Sequence, residues 1–503
     1  MRRGAKVEHL DVVVIGAGLS GIGAGHYLQT LCPRRTYAIL EQRDRIGGTW
    51  DLFRYPGIRS DSDMFTMGYS FRPWTKPKAI SPGADIREYI EATAREEGID
   101  RRIRFRHALA RASWSSSEVR WLLEGTRRGD DGREEPFALT CRFLYSCAGY
   151  YRYSAGHTPE LPGLERFRGA VVHPQQWPEG LDYAGKRVVV IGSGATAVTL
   201  VPAMAKTAAH VTMVQRSPTW VVSLPEEDRI ANRLRAMLPA TWAYRLSRAK
   251  NVLYQWFMYR LARRRPQAVG EELLKQAAAH LGPGFDVARH FRPRYNPWEQ
   301  RLCLVPDADL FVALREGRAS VVTGEIDTFT ETGLVTKDGQ ALAADVLVTA
   351  TGLEMQTLGG IEVSVDGAPV RLGSTLAYKG VMFSGVPNLA AVFGYINASW
   401  TLKADLVSRW VCRLLNAMER RGARQVTPTP VGEEAVAPFV EHFSSGYVQR
   451  AIARWPKQGR RAPWRVHQDY FRDVLALRWG RIADGALVFS GKGGAEEGAS
   501  ARR

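Results

Sequence analysis

The chain of 503 residues contains few cysteines, and they do not form closely spaced pairs. No CxxC or CxxxxC spacing, typical of structural zinc sites and redox-active disulfides, occurs among Cys32, Cys141, Cys147, Cys303 and Cys412. The sequence therefore predicts no metal and no disulfide reductase. Unpaired thiols, together with the lack of a secretory pattern at the start, favour a cytoplasmic location.

A long apolar run is also missing. The longest uncharged stretch, residues 380–402, is interrupted by glycines, Pro387 and polar side chains. This composition favours a buried strand and loop over a membrane span.

Acidic residues are too few to balance the basic ones, and the net charge is +18. Ten Lys or Arg residues and no acid lie between Arg229 and Gly270, interleaved with apolar side chains. The simpler interpretation is a helical insertion whose apolar face packs on the body and whose basic face is solvated. The alternative is a peripheral contact with an anionic membrane surface. No nucleic-acid partner is expected, because no recognised module accompanies the charge.

The first glycine loop follows an apolar strand, Leu10–Ile15, and precedes a helix that is expected to reach about Leu31. Gly16 permits the tight turn, Gly18 lets the backbone approach a pyrophosphate, and Gly21 allows close helix–strand packing. Glu41 ends the next strand, which begins at Tyr37, and can accept hydrogen bonds from an unphosphorylated ribose. The loop predicts FAD or NAD.

The second loop repeats this pattern after the strand Arg187–Ile191. A helix to about residue 207 and a strand over residues 210–214 complete the unit. Gln215 and Arg216 stand where the first unit has its acid, so the pocket should favour the 2′-phosphate of NADPH. Ser217 could add a hydroxyl donor. The alternative is that Arg216 pairs with a surface acid. The residues expected at this cofactor are Gly192, Gly194, Thr196, Ala197, Arg216 and Ser217.

Together the two units predict an α/β protein with two Rossmann-like dinucleotide-binding domains, the NADP domain inserted in the FAD domain. Strands that run into Gly149 and Gly352 mark chain crossings near residues 150–165 and 335–350. The predicted boundaries are 1–160 and 340–490 for the FAD domain, 161–339 for the NADP domain with a helical insertion at about 225–300, and 491–503 for a flexible tail.

Two further segments carry a family resemblance. Residues 47–61 read GGTWDLFRYPGIRSD, and the pattern FxGxxxHxxxWP is formed by Phe167, Gly169, His173, Trp177 and Pro178. With both glycine loops they resemble the type I Baeyer–Villiger monooxygenases, which are class B flavoproteins. The ethionamide-activating subgroup is the most similar, and the resemblance runs from Asp11 to about Arg481. Trp177 distinguishes this group from the flavin-containing monooxygenases.

The resemblance implies a reaction and two catalytic residues. NADPH would reduce FAD, which is held at the first loop and by Gly48, Thr49 and Trp50. With O2 the reduced flavin would form a C4a-peroxyflavin that inserts one oxygen atom into ketones, giving esters or lactones, or that oxidises thioethers to sulfoxides. The family's active-site arginine and aspartate fall on Arg301 and Asp61, and Asp61 also belongs to the flavin site.

Several alternatives remain open from sequence. Gln300 stands where many members have a lysine before the arginine. Arg301 could instead form a structural ion pair with Glu299 or Asp307, and Asp61 could be a turn or N-cap residue. His173 is interpreted as a structural residue of a linker between the domains. The competing functions are a flavin-containing monooxygenase that oxidises only nitrogen and sulfur nucleophiles, and a non-catalytic NADPH/flavin sensor.

Overall fold

The structure is a computed structural model that describes residues 7–432, 434–441 and 443–491. All but the first residue of the predicted tail, 491–503, lies outside the described residues. All the elements and contacts given below lie within residues 7–432, 434–441 and 443–491.

The first large sheet is built from both ends of the chain. Its central strand, Glu8–Ile15, runs parallel to Tyr37–Leu40 on one side and to Glu134–Ser146 on the other. The predicted strand ends at Leu40, so Glu41 is the first residue beyond it. The remaining strands of this sheet are Ile103–Arg104, His107–Ser115, Arg120–Arg128, Glu362–Val365, Ala368–Pro369 and Leu389–Ala391.

The second large sheet is formed by the middle of the chain and is parallel throughout. Its strands, in spatial order, are Ala319–Thr323, His210–Gln215, Arg187–Ile191, Val346–Thr349 and Ala170–Val172. The helix after Arg187–Ile191 is Ala195–Met204, which ends three residues before the predicted position. Because the second sheet lies in sequence between the two parts of the first, the predicted insertion of one Rossmann-like domain into the other is confirmed.

Two details of the predicted organisation need correction. Val346–Thr349 is hydrogen-bonded on both sides inside the second sheet, although the boundary at 339/340 assigned it to the FAD domain. We therefore propose that the second crossing follows residue 349. The segment around His173 is also more than a linker, since Ala170–Val172 forms an edge strand of the second sheet. A short apolar strand looks the same in sequence whichever sheet it joins.

Smaller strand groups surround the two sheets. Val221–Leu224 pairs in parallel with Cys303–Pro306, and Ile326–Thr330, Gly333–Thr336 and Ala341–Ala343 form a three-stranded antiparallel group. The three antiparallel pairs are Ala377–Tyr378 with Met382–Phe383, Gln425–Pro428 with Leu487–Ser490, and Ala437–Pro438 with Lys457–Gln458.

Helices cover the sheets and form the predicted insertion. The insertion helices are Arg229–Met237, Ala240–Arg264, Pro266–Leu281 and Val287–Phe291. The others are Leu19–Leu31, Thr49–Leu52, Met64–Met67, Gly83–Glu96, Ala195–Met204, Asp309–Arg315, Trp400–Arg420, Gly446–Ala451 and Tyr470–Asp473. In the described chain, no helix combines the length and apolar character needed to cross a membrane.

Only part of the apolar side of the insertion packs against the body. The simpler interpretation, in which this side packs on the body and only the basic face is solvated, therefore needs correction. Met237, Trp242, Leu253 and Phe257 are each more than half exposed. The buried residues of the long helix Ala240–Arg264 are instead Ala243, Tyr244, Ser247, Asn251, Val252 and Ala262.

Candidate functional site

A cavity of about 1220 Å³ lies at the carboxyl ends of parallel strands from both large sheets, and both glycine loops line it. Open α/β sheets bind ligands at this end of their strands. Of the residues predicted from sequence, the cavity wall contains Gly16, Gly18, Glu41, Gly48, Thr49, Trp50, Asp61, Gly192, Gly194, Thr196, Arg216, Ser217 and Arg301.

The first loop brings strand, helix and a second backbone segment very close together. Gly16 has φ of +95°, and a Cβ there would stand 2.9 Å from the carbonyl oxygen of Cys147. A Cβ on Gly21 would come within 1.8 Å of the Gly16 carbonyl oxygen, so Gly21 serves packing behind the cavity wall. Gly18 faces Gly48, and a Cβ on Gly18 would lie 3.4 Å from the Gly48 Cα. Side chains at Gly16 and Gly21 would collide with this backbone, so glycine is needed for the close approach of the three segments that shape the loop.

Glu41 is held rigidly beside this loop. Its carboxylate accepts hydrogen bonds from the backbone N–H of Ala17 (2.8 Å) and of Arg43 (2.9 Å), and the residue is 4% exposed. Burial raises the pKa of Glu41, while the two backbone hydrogen bonds and the charge of Arg43 act in the opposite direction. Each oxygen keeps a lone pair that can accept a ribose hydroxyl.

Gly48, Thr49 and Trp50 continue the same wall. Thr49 is the first residue of the short helix Thr49–Leu52. Its side chain interacts with that of Tyr153. Burial raises the pKa of Tyr153 to about 12, so its hydroxyl is neutral and can donate a hydrogen bond.

The second loop is more open. Gly192 has φ of +137°, and a Cβ there would collide with the Ala350 carbonyl oxygen at 2.3 Å, whereas a Cβ on Gly194 would meet no atom within 4 Å. Ser193 donates its hydroxyl to the carbonyl of Ser217 (3.0 Å), which ties the loop to the segment that follows the next strand.

Arg216 is exposed at this opening, as is Ser217. Gln215 is turned away and donates to the His290 carbonyl (2.8 Å), so Arg216 is the side chain that faces the cavity. Within the described chain no carboxylate lies within ion-pair distance of Arg216, and nearby Glu325 pairs with Lys337 at 2.6 Å. The geometry therefore gives no support to a surface ion pair at Arg216.

Thr196 and Ala197 differ in position. Thr196 lies at the cavity wall beside Tyr55, with which it interacts through its side chain. Ala197 is fully buried in the core beneath the second sheet, and the structure does not place it at the cavity.

The residues of both loops fit dinucleotide cofactors. The helices Leu19–Leu31 and Ala195–Met204 begin after Gly18 and Gly194, and neither has a side-chain cap or an acid in its first turn. Both glycines lie at the cavity wall. Uncapped N–H groups at a helix start are donors for phosphate oxygens, and the helix dipole favours negative charge there.

Arg301 and Asp61, 240 positions apart in sequence, meet between the two loops. Nη2 of Arg301 donates to Oδ2 of Asp61 at 2.6 Å, and Nη1 donates to the Ile396 carbonyl at 2.9 Å. Burial alone would lower the pKa of Arg301, but the negative charge of Asp61 offsets it and the pKa is raised above its usual value. The guanidinium is therefore permanently charged.

The alternatives from sequence were an ion pair of Arg301 with Glu299 or Asp307, and an N-cap role for Asp61. Glu299 accepts from Asn296, Asp307 accepts from the Glu226 backbone N–H, and Arg301 forms its ion pair with Asp61. The N-cap of the helix Met64–Met67 is Asp63, which accepts from the Thr66 N–H.

Three tyrosines near this pair were missed by the sequence analysis. Tyr150, Tyr151 and Tyr447 line the cavity, and Tyr150 and Tyr151 follow the strand exit at Gly149. Burial raises the pKa of Tyr447 above its usual value, and the positive charge of Arg301 lowers this pKa by a smaller amount. The position after a strand-to-glycine exit could have singled out Tyr150 and Tyr151, whereas no sequence signal marks Tyr447.

His173 lies at the cavity wall but has no carboxylate among its hydrogen-bond partners. Its Nδ1 accepts from the Gln175 N–H (3.2 Å), which assigns the proton to Nε2, and Nε2 donates to the Gly352 carbonyl (3.2 Å). Burial lowers its pKa and keeps the ring neutral. His173 thus joins the edge strand to the second chain crossing, and Trp177 packs edge-on against Tyr183.

Known proteins match the chain over nearly its whole length. The family described as flavin-binding monooxygenase-like matches residues 10–431. FAD-containing monooxygenase EthA of Mycobacterium tuberculosis (strain ATCC 25618 / H37Rv) is 52% identical over 485 residues, covering 96% of this chain and 98% of EthA. Probable FAD-binding monooxygenase AlmA of Acinetobacter baylyi is 46% identical over 490 residues, covering 96% and 97%.

Solved structures share the fold at lower identity. An open cyclohexanone monooxygenase structure superposes with a TM-score of 0.72 at 22% identity, covering 96% of this chain and 100% of its own. The OTEMO complex with FAD and NADP reaches 0.73 at 20% identity with the same coverage. A steroid monooxygenase bound to NADP reaches 0.69 at 24% identity, covering 84% and 88%. The fold, the two loops and the relatives agree, and the chain belongs to the flavin-binding monooxygenase-like family.

Proposed function

We propose that this flavin-dependent monooxygenase is of the Baeyer–Villiger type, and that it consumes NADPH to insert one oxygen atom of O2 into ketones. Its cofactors are FAD and NADPH. FAD is assigned to the first loop, where Glu41 suits an unphosphorylated ribose. NADPH is assigned to the second, where Arg216 suits a 2′-phosphate.

The observation that carries the proposal is the ion pair of Arg301 and Asp61 between the loops. The first loop and Gly48, Thr49 and Trp50 would hold FAD, which would supply the oxygen-transfer chemistry implied by the resemblance. The charge of Arg301 would stabilise an oxygen that becomes negative when a ketone carbonyl is attacked. Asp61 and the Ile396 carbonyl fix the orientation of the guanidinium, so that it need not reorganise during the reaction.

The surrounding tyrosines would limit the access of water. Tyr150 packs against Trp400, with ring centroids 4.9 Å apart, and its hydroxyl lies 3.2 Å from that of Tyr151. Trp400 in turn donates to the Ser20 hydroxyl at 2.7 Å, next to the first loop. A wall held in this way would keep water away from the reacting oxygen. Oxygen transfer to the substrate would then be favoured over the release of hydrogen peroxide, which needs a proton.

The proposal is tested by product analysis with the purified, FAD-loaded protein, NADPH and air. Cyclohexanone is a suitable probe because it is a plain ketone, and methyl phenyl sulfide is the soft nucleophile. Lactone formation that accompanies NADPH consumption is expected. A sulfoxide without any lactone would instead assign the protein to the flavin-containing group. Oxygen uptake that no substrate stimulates would favour the sensor.

A further inference from the structure

Exposed apolar side chains are concentrated on two of the insertion helices. Half of the sixteen large hydrophobic residues that are exposed in the described chain lie between Ile230 and Phe257. We call this surface the insertion face, and its members include Ile230, Met237, Trp242, Leu246, Leu253 and Phe257.

The insertion face is a continuous stripe on the long helix Ala240–Arg264. Trp242, Leu246, Leu253 and Phe257 recur at the spacing of one helix face, with exposed Ala249 between them. The opposite side is the one that packs on the body, where the Tyr244 hydroxyl donates to the Tyr69 carbonyl at 2.8 Å. The helix is thus firmly attached on one side and apolar on its solvent side.

Unpaired cations border the stripe. Arg229, Arg233, Arg245, Arg263 and Arg264 are exposed, and in the described chain no carboxylate lies within ion-pair distance of any of them. By contrast, Arg248 and Lys250 on the inner side of the same helix pair with Asp405 and Asp228. Arg248 and Lys250, which face the body, are thus paired with carboxylates, and within the described residues the five arginines around the stripe are not.

A second apolar element adjoins the helix. Trp256 donates to Asp469 (3.2 Å) and meets Phe471 edge-on at 5.4 Å, which joins the helix to the segment 470–479. That segment exposes Leu475 and Trp479, at 66% and 68%, and carries Arg478 next to the Trp479 ring.

We propose that the insertion face docks the protein on an anionic lipid surface. An apolar stripe with a basic border is the pattern of helices that lie in the plane of a membrane interface. The apolar side chains would enter the headgroup region while the arginines contact lipid phosphates. A second copy of the chain is a poorer occupant, because it would bring like charges together around the same stripe.

The test is co-sedimentation of the FAD-loaded protein with vesicles of phosphatidylcholine alone or mixed with phosphatidylglycerol. Binding to the mixed vesicles is expected, and raised NaCl should weaken it because surface charges are screened. Replacing two arginines, Arg229→Gln with Arg233→Gln, should weaken binding by about tenfold or more. Replacing two apolar residues, Trp242→Ser with Phe257→Ser, should weaken it by at least about tenfold.

Matched controls come from other exposed positions. Arg101→Gln with Arg128→Gln removes the same charge elsewhere, and Val431→Ser removes an exposed apolar side chain. These variants should bind vesicles like the unchanged protein. All the variants should keep their bound flavin and their NADPH oxidation rate, which shows that they fold.

A site-specific probe locates the contact. All five cysteines are buried, so Leu246→Cys can be labelled selectively with an environment-sensitive dye. Its emission should shift to the blue with anionic vesicles, and that of labelled Val431→Cys should not. Equal binding by the unchanged protein and both paired variants would overturn the proposal. The proposal would also be overturned if the protein did not bind vesicles and formed a dimer that Trp242→Ser with Phe257→Ser dissociates in sedimentation. That result would assign the insertion face to a second copy of the chain.

Discussion

The two glycine loops share a sequence pattern but differ in how tightly the protein encloses them. At the first, Glu41 is buried with both oxygens bonded to backbone, and Gly18 faces the Gly48 backbone. At the second, a Cβ on Gly194 would meet no atom within 4 Å, and Arg216 is exposed. We infer that the first loop retains its ligand and that the second exchanges it. That is what a resident flavin and a consumed nicotinamide require.

The largest effect is expected from a residue that belongs to neither loop. Arg301→Ala should lower lactone formation by about 10²–10³-fold, since a preorganised charge at the reacting oxygen is lost. Flavin content and the rate of flavin reduction by NADPH should not change, because the loops remain intact. Product yield and anaerobic reduction kinetics, with Arg301→Lys as the conservative control, measure the two separately. Oxygenation that survives in Arg301→Ala would show that the charge is assigned wrongly.

The next effect tests the enclosed loop. Glu41→Gln should raise the FAD dissociation constant by about tenfold to a hundredfold, because the amide NH2 would face a backbone donor in a buried site. Fluorescence of released FAD on dilution measures this. The NADPH concentration that half-saturates reduction of the remaining holoenzyme should stay constant. A change in NADPH affinity without loss of flavin would reverse the assignment of the two loops.

A smaller effect tests the open loop. Arg216→Gln should raise the KM for NADPH by about tenfold and leave the KM for NADH nearly unchanged, because only NADPH has the 2′-phosphate. Arg216→Lys should retain part of the preference. Arg318→Gln, a half-buried arginine whose own partner is Glu316, is the control for the loss of a positive charge. Equal losses for both coenzymes would remove Arg216 from the 2′-phosphate site.

The smallest effect concerns the strand that carries the open loop. Arg187 begins this strand and pairs with Asp345 at 2.7 Å, and this pairing lowers the pKa of Asp345 from 3.8 to about 2. A lowered carboxylate pKa stabilises the fold above pH 4 and ceases to do so as the pH falls toward 2. Both side chains are exposed, so the effect is small. The melting temperature of the unchanged protein should fall slightly more over this range than that of Asp345→Asn, and an identical fall would contradict it.

Sequence alone was sufficient to predict features whose defining residues lie close together along the chain. Each loop is defined within about 30 residues by a strand, by glycines (three in the first loop, two followed by Ala197 in the second), and by an acid or a cation at the end of the next strand. It was not sufficient to place Val346–Thr349, because a short buried strand carries no mark of the sheet that it joins.

Sequence patterns could not reveal the proposed catalytic pair or the exposed stripe, for another reason. Asp61 and Arg301 are 240 positions apart, and only the family resemblance related them before the structure placed them 2.6 Å apart. Tyr447 reaches the cavity through tertiary packing that leaves no local pattern. The exposure of Trp242 and Phe257 depends on which face of the helix the body covers, and the apolar spacing is the same for either face.

A single anaerobic experiment tests whether the protein retains its flavin and exchanges its nicotinamide. The purified protein is mixed with one equivalent of NADPH per flavin, and the mixture is separated by gel filtration under anaerobic conditions. We expect that the oxidised flavin absorbance disappears, that the reduced flavin elutes with the protein, and that NADP⁺ elutes largely with the small molecules. A flavin that is not reduced, or that leaves the protein while the nicotinamide stays bound, would contradict it.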